Sequence, residues 1–179
     1  GTVQQYLYLR DEGESFAPDV VLLVAYENDL TDNCLPYSPW IGARPWATLD
    51  GDTVRMIEDY DDEPHLRFVA PVPFAGALIR HSYLFYAFND RVWRVHNRES
   101  LSALELEEWS ALQPKKTRRI FLGIIDRMHD LVEQRGAQFV VALAPSLTTI
   151  EAGGDDWHED VAAHAAAEGY GFVSLQPAL

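Results

Sequence analysis

Pro18-Asp19-Val20-Val21-Leu22-Leu23-Val24-Ala25-Tyr26-Glu27-Asn28-Asp29 is the stretch that decides the fold. Six consecutive apolar residues, Val20 to Ala25, read as a strand buried on both faces of a parallel sheet. Polar side chains then arrive abruptly at its carboxyl end. In open α/β sheets ligands bind and chemistry is done at that edge. An Asn placed there can aim its amide N–H at a developing oxyanion.

Working outward, residues 2–13 read as a short helix closed by Gly13, and a link containing Pro18 leads into the strand at 20–26. Residues 34–74 have the texture of an insertion, rich in Pro and aromatics, with Tyr37, Trp40 and Trp46 near its start. Those rings suit either the wall of an acyl or sugar pocket or the small core of the insertion itself. Within the insertion Ala47-Thr48-Leu49 and Thr53-Val54-Arg55-Met56-Ile57 flank Asp50-Gly51-Asp52, a hairpin signal. The acidic run Glu58 to Glu63 reads as a solvated loop.

Helical periodicity resumes over 75–97, and a linker at 98–114 ends at Pro114. A long helix over 115–134 carries Ile120, Phe121, Ile124, Ile125, Met128, Leu131 and Val132 on one face, and Gly136 stops it. Phe139-Val140-Val141-Ala142-Leu143 is a second buried strand. A helix at 157–168 ends at Gly169, and Phe172-Val173-Ser174-Leu175 is a third, short strand. Strand, helix, strand, helix, strand predicts an α/β fold with a parallel sheet in a single domain spanning 1–179.

Composition narrows the partners. With 14 Lys plus Arg against 28 Asp plus Glu, the net charge of −14 repels nucleic acid and anionic lipid. No apolar run approaches the roughly 20 residues that span a bilayer. Cys34 is the single cysteine, which excludes an internal disulfide and a multi-cysteine zinc site. No cofactor is implied.

Several polar residues compete for chemical roles. Asp155 and His158 form an Asp-x-x-His, but acidic residues clustered at 155–160 also suit a capped helix start. His158-Glu159 begins like a zinc-binding His-Glu-x-x-His, yet position 162 is Ala. Asp160 and His164 share a helical face and are expected to form an exposed ion pair. His65, His81, His96 and His129 are scattered, and each reads as a surface or capping residue. Ser146 follows the second strand and faces the same crevice as Asn28, but nothing near it in sequence supplies a base. Its expected role is to cap a helix or turn after Pro145.

Gly1-Thr2-Val3-Gln4-Gln5-Tyr6, Pro18-Asp19-Val20-Val21-Leu22, Asn28-Asp29-Leu30 and Asp32-Asn33 together resemble the SGNH (GDSL-type) hydrolases. These are serine esterases, lipases and carbohydrate acetyl-ester hydrolases. His81-Ser82-Tyr83-Leu84-Phe85 resembles a helix start in one bacterial branch of that family. The resemblance implies a three-layer α/β/α sandwich of flavodoxin-like type, here incomplete, with the insertion following the Asn-Asp strand. It implies that Asn28 is an oxyanion-hole donor, that Gly1 lies in the glycine turn contributing a backbone N–H, and that Asp29 is structural. The substrate would be a small-molecule, carbohydrate or lipid ester.

The family's Gly-Asp-Ser turn is absent, there is no Gly-x-Ser-x-Gly elbow, and no Asp-x-x-His follows the last strand. The expectation is therefore a fragment whose nucleophilic Ser and base His lie outside the chain, inactive by itself. Loss of the neighbouring strand would leave the edge of strand 20–26 open to self-association. The alternative expectation is a non-catalytic binding or accessory domain on the same scaffold.

Overall fold

The computed structural model describes residues 1–38, 42–58, 113–151 and 156–175. The helical stretch at 75–97, the linker as far as residue 112, Trp40, Asp155, His65, His81, His96 and the whole 59–74 part of the insertion lie outside them.

Helix α1 (Thr2–Glu12) runs into a 3-10 turn (Gly13–Phe16), and the chain reverses at Ala17, whose φ is 43°. Gly13 does not end the helix by a left-handed turn as the sequence suggests; its φ is −60°. It is small because a Cβ there would lie 2.7 Å from Leu9 Cδ1. Strand β1 (Val20–Tyr26) follows, and then a short helix α2 (Glu27–Asp32) that the sequence reading does not anticipate. Two small antiparallel pairs come next, β2 (Tyr37–Ser38) with β3 (Gly42–Ala43) and β4 (Trp46–Asp50) with β5 (Thr53–Ile57). The second is the expected hairpin; its turn starts at Gly51 with φ +60°, a conformation glycine adopts without strain.

Helix α3 (Pro114–Gln134) opens with Pro at its first turn and ends before Gly136, whose φ is +76°. Strand β6 (Gln138–Ala144), helix α4 (Leu147–Glu151), helix α5 (Asp156–Glu168) and strand β7 (Gly171–Ser174) complete the described chain. Strands β1, β6 and β7 form one parallel sheet in the order β1-β6-β7. This is an α/β fold.

Helix α3 organises two apolar clusters. Phe121, Ile125, Met128 and Val132 recur at helical spacing and pack with Leu23, Ala25, Phe139, Val141, Leu143, Trp157, Val161 and Ala165. Each such fully buried large side chain contributes about 1.5–3 kcal/mol of transfer free energy. One step round the helix, Ile120 and Ile124 meet Val3, Cys34, Ala47 and Val54. The hairpin β4–β5 thus sits on α3, where Gly123 leaves room for Val54: a Cβ at 123 would lie 2.4 Å from Val54 Cγ2. The Arg127 guanidinium donates to the Val54 carbonyl beside it.

One expectation fails instructively. β1 is buried on a single face: Leu23 and Ala25 are covered, whereas Val20, Leu22, Val24 and Tyr26 stand exposed. The cause is topological. Residues of α1, α3 and α5 all join the cluster on the Leu23–Ala25 side of the sheet. Among the described residues β1 pairs with β6 alone, so β1 is also the end strand. A groove of about 620 Å³ runs along that edge, walled by Gln4, Tyr8 and Phe16 and floored by Val20 to Val24. Among the described residues no helix is long and apolar enough to cross a membrane.

Candidate active site

The carboxyl ends of β1, β6 and β7 come together, and the polar residues gather there. β1 passes directly into α2, so Glu27, Asn28 and Asp29 form that helix's first turn. Asp29 is buried, and its Oδ2 accepts the Tyr26 backbone N–H at 2.9 Å, which closes the start of α2. Burial pushes its carboxyl above the ordinary Asp value, against the pull of the Tyr26 N–H and the Gly1 amino group. The Gly1 nitrogen lies 3.8 Å from Asp29 Oδ1 and donates to Gln4 Oε1 at 3.0 Å. Gly1 packs on α2 beside Asp32 and Asn33, where a Cβ at position 1 would lie 2.9 Å from Asn33 Oδ1, so the two residues nominated from sequence, Asn28 and Gly1, belong to one corner of the molecule.

Asn28 is exposed at this corner, on the solvent side of α2. Its Nδ2 donates one hydrogen to Asp32 Oδ2 at 2.9 Å, four residues along the helix. A primary amide carries two N–H donors, so one remains for a ligand. Asp32 is itself held: its Oδ1 accepts from Arg44 Nη2 at 3.0 Å. Arg44 is buried, and its Nε donates to the Leu35 carbonyl at 3.0 Å. The base of the insertion thus reaches back to orient the Asn28 amide. Asn33, fully buried, adds a second tie: its Oδ1 accepts the Val3 N–H at 3.1 Å and joins α1 to the end of α2.

The sequence offered Asp32 only as part of the Asp32-Asn33 resemblance, although its helical spacing from Asn28 is visible once α2 is known. Arg44 carried no signal at all. Its partner is twelve positions away in the sequence.

Ser146 takes its expected place at the end of β6, and its Oγ accepts the Thr149 N–H at 3.1 Å, capping the first turn of α4. The unexpected partner is Glu27. Its Oε1 accepts from Ser146 Oγ at 2.9 Å, from the Ser146 N–H at 3.3 Å and from the Thr149 hydroxyl. Register explains the meeting, since Tyr26 lies opposite Ala144 and the residues that follow each strand emerge side by side. Burial pushes the Glu27 carboxyl up, but the hydrogen bonds from Thr149 and Ser146, with the charge of His158, outweigh it. The net result is a carboxylate held below the ordinary Glu range.

His158 is buried in the first part of α5, and its Nδ1 lies 3.2 Å from Ser174 Oγ at the end of β7. It is thus drawn toward the same sheet edge rather than exposed on its helix. The expected Asp160–His164 pair does not form. Both side chains instead reach across to α3, Asp160 to Arg118 at 2.5 Å and His164 Nε2 to Asp126 Oδ1 at 2.7 Å. Neighbouring helices offered better-placed partners than the adjacent turn. His129 packs its ring against Phe139 and Tyr170, 6.2 and 5.2 Å between centroids, and is not a free surface residue.

Taken together the edge presents an oriented amide donor at Asn28, a charged carboxylate at Glu27 and hydroxyls at Ser146, Thr149 and Ser174. Such an edge can polarise a carbonyl and orient a hydroxylated ligand. Comparison with protein-family models, with curated proteins and with solved structures returns no match for the chain.

Proposed function

We propose that this chain carries the oxyanion-hole edge of an SGNH-type serine hydrolase acting on carboxylic ester bonds. The observation that supports it is the Asn28 amide: exposed at the carboxyl end of β1, fixed by the Asp32–Arg44 relay, and left with one N–H to donate. In the reaction that N–H would bind the tetrahedral oxyanion and stabilise it by about 3 kcal/mol. Backbone N–H groups of the Gly1 turn would supply the second donor. The nucleophilic Ser and its base His are proposed to come from sequence outside residues 1–179, completing a flavodoxin-like α/β/α sandwich at the open edge of β1.

Ser146 is not the nucleophile in this reading. Its Oγ is engaged by the Glu27 carboxylate and by the Thr149 N–H, the geometry of a helix cap. His158 is likewise a positioning group for the end of β7.

The test is hydrolysis of p-nitrophenyl acetate by the whole gene product that contains these residues, and by residues 1–179 alone. Activity in the former, lost on Asn28→Ala, and none in the latter is the expected result. Activity that survives Asn28→Ala removes the assignment. An intact reading frame with no esterase activity and no labelling by a fluorophosphonate instead makes the scaffold a binding module.

A further inference from the structure

Glu27 is held by one of its two oxygens. Oε1 accepts the Ser146 hydroxyl at 2.9 Å, the Ser146 N–H at 3.3 Å and the Thr149 hydroxyl. Oε2 accepts no hydrogen bond among the described residues, although the side chain is only half-buried and stands at the carboxyl edge of the sheet. The carbonyl oxygen of a glutamine would accept the same three hydrogens, so these contacts do not require the charge. Asp32, in the same helix, has its charge offset by Arg44, whose Nη2 lies 3.0 Å from Oδ1. Glu27 joins none of the ion pairs among the described residues. Its donors, with the charge of His158, nevertheless keep it ionised. A partly desolvated carboxylate without a hydrogen-bonded cation gains most from a ligand that brings the countercharge. The net charge of −14 draws cations toward the chain as a whole.

We propose that Glu27 Oε2 recognises a primary ammonium group on the ligand whose carbonyl meets Asn28, so that the site takes cationic esters. The ester comes from the hydrolase reading, on which this inference rests; the cation comes from Glu27. Consecutive Cα atoms lie about 3.8 Å apart, so one small molecule can touch both residues. The ammonium donates an N–H to Oε2 in a charge-assisted hydrogen bond, and a neutral hydroxyl in its place forms a weaker one. Glu27 sets specificity in this scheme and takes no part in bond making or breaking.

The ethyl esters of β-alanine, β-hydroxypropanoate and butanoate carry an ammonium, a hydroxyl and a methyl group at one position. Each is assayed with the whole gene product that contains this chain. The β-alanine ester is expected to exceed the butanoate ester in kcat/KM at least about tenfold, chiefly through KM. Glu27→Gln, its fold checked by circular dichroism, brings that ratio to within about twofold of unity. Glu14→Gln removes an exposed charge before the amino end of β1 and leaves the ratio as it is. A wild type that treats the ammonium and methyl esters alike overturns the proposal, as does a preference for the hydroxyl ester. An equal loss in Glu14→Gln overturns it too, since the preference then belongs to the general field of the chain. Absence of turnover with all three esters fails the hydrolase reading and not this one. Calorimetric titration with the same esters then decides, by a tighter affinity for the β-alanine ester of about tenfold that Glu27→Gln abolishes, or by equal affinities, which overturn the proposal.

Discussion

Asn28 illustrates how a single amide becomes a directed donor. An exposed Asn samples several rotamers, whereas here Asp32 accepts one hydrogen and Arg44 fixes Asp32, so the remaining N–H has one direction. Removing the relay should therefore cost rate without costing binding. In the active gene product Asp32→Ala is expected to lower kcat about 10- to 100-fold at nearly constant KM, because misplacement of a donor by an ångström is that costly. Asp32→Asn, which keeps an acceptor four residues from Asn28, is expected to recover most of it. Glu27 makes a separate prediction. A carboxylate whose folded pKa is depressed contributes stability above its unfolded pKa and loses it as pH falls through the folded value. Thermal melts between pH 7 and about pH 2 should show a shallower acid limb in Glu27→Gln than in the wild type. Identical limbs would mean that the Ser146–Thr149–Glu27 contacts carry no linked free energy.

At the scale of elements, the long helix α3 was fully legible, since Phe121, Ile125, Met128 and Val132 repeat at helical spacing between Pro114 and Gly136. The three strands, the Gly51 hairpin and the helix ending at Gly169 were legible for the same kind of reason. What escaped was local chemistry overridden by tertiary contact. Helix α2 forms where strand periodicity runs out, stabilised by Asp29 capping Tyr26 rather than by an apolar stripe. The helix-to-helix ion pairs of Asp160 and His164 depend on how α5 lies on α3, which no spacing within α5 reveals. Gly123 had no sequence signal because glycine inside a helix normally lowers its stability. Its reason is the Val54 side chain. Gly123→Ala should gain helix propensity yet lose about 1–3 kcal/mol of net stability through overpacking. In a Val54→Ala background the same substitution should be neutral or stabilising by up to about 1 kcal/mol. Urea melts of the four proteins in this cycle check the coupling.

For the whole molecule, the apolar run Val20 to Ala25 predicted two packed faces, and one is packed. The residues are right for a doubly covered strand; the covering on the second side does not come from α1, α3 or α5. The edge of the same strand faces an apolar groove, and the strand leads at its carboxyl end into Asn28. Truncating Trp157, fully buried in the sheet-facing cluster with its ring edge-on to Phe121, should cost about 3–5 kcal/mol of stability, read as a fall in the urea midpoint. The central claim is the oxyanion role of Asn28. Its most direct test is the steady-state kinetics of Asn28→Ala in the gene product that contains this chain, with p-nitrophenyl acetate as substrate. The account predicts a fall in kcat of about 100- to 1,000-fold with KM within about threefold, and a kcat equal to that of the wild type would contradict it.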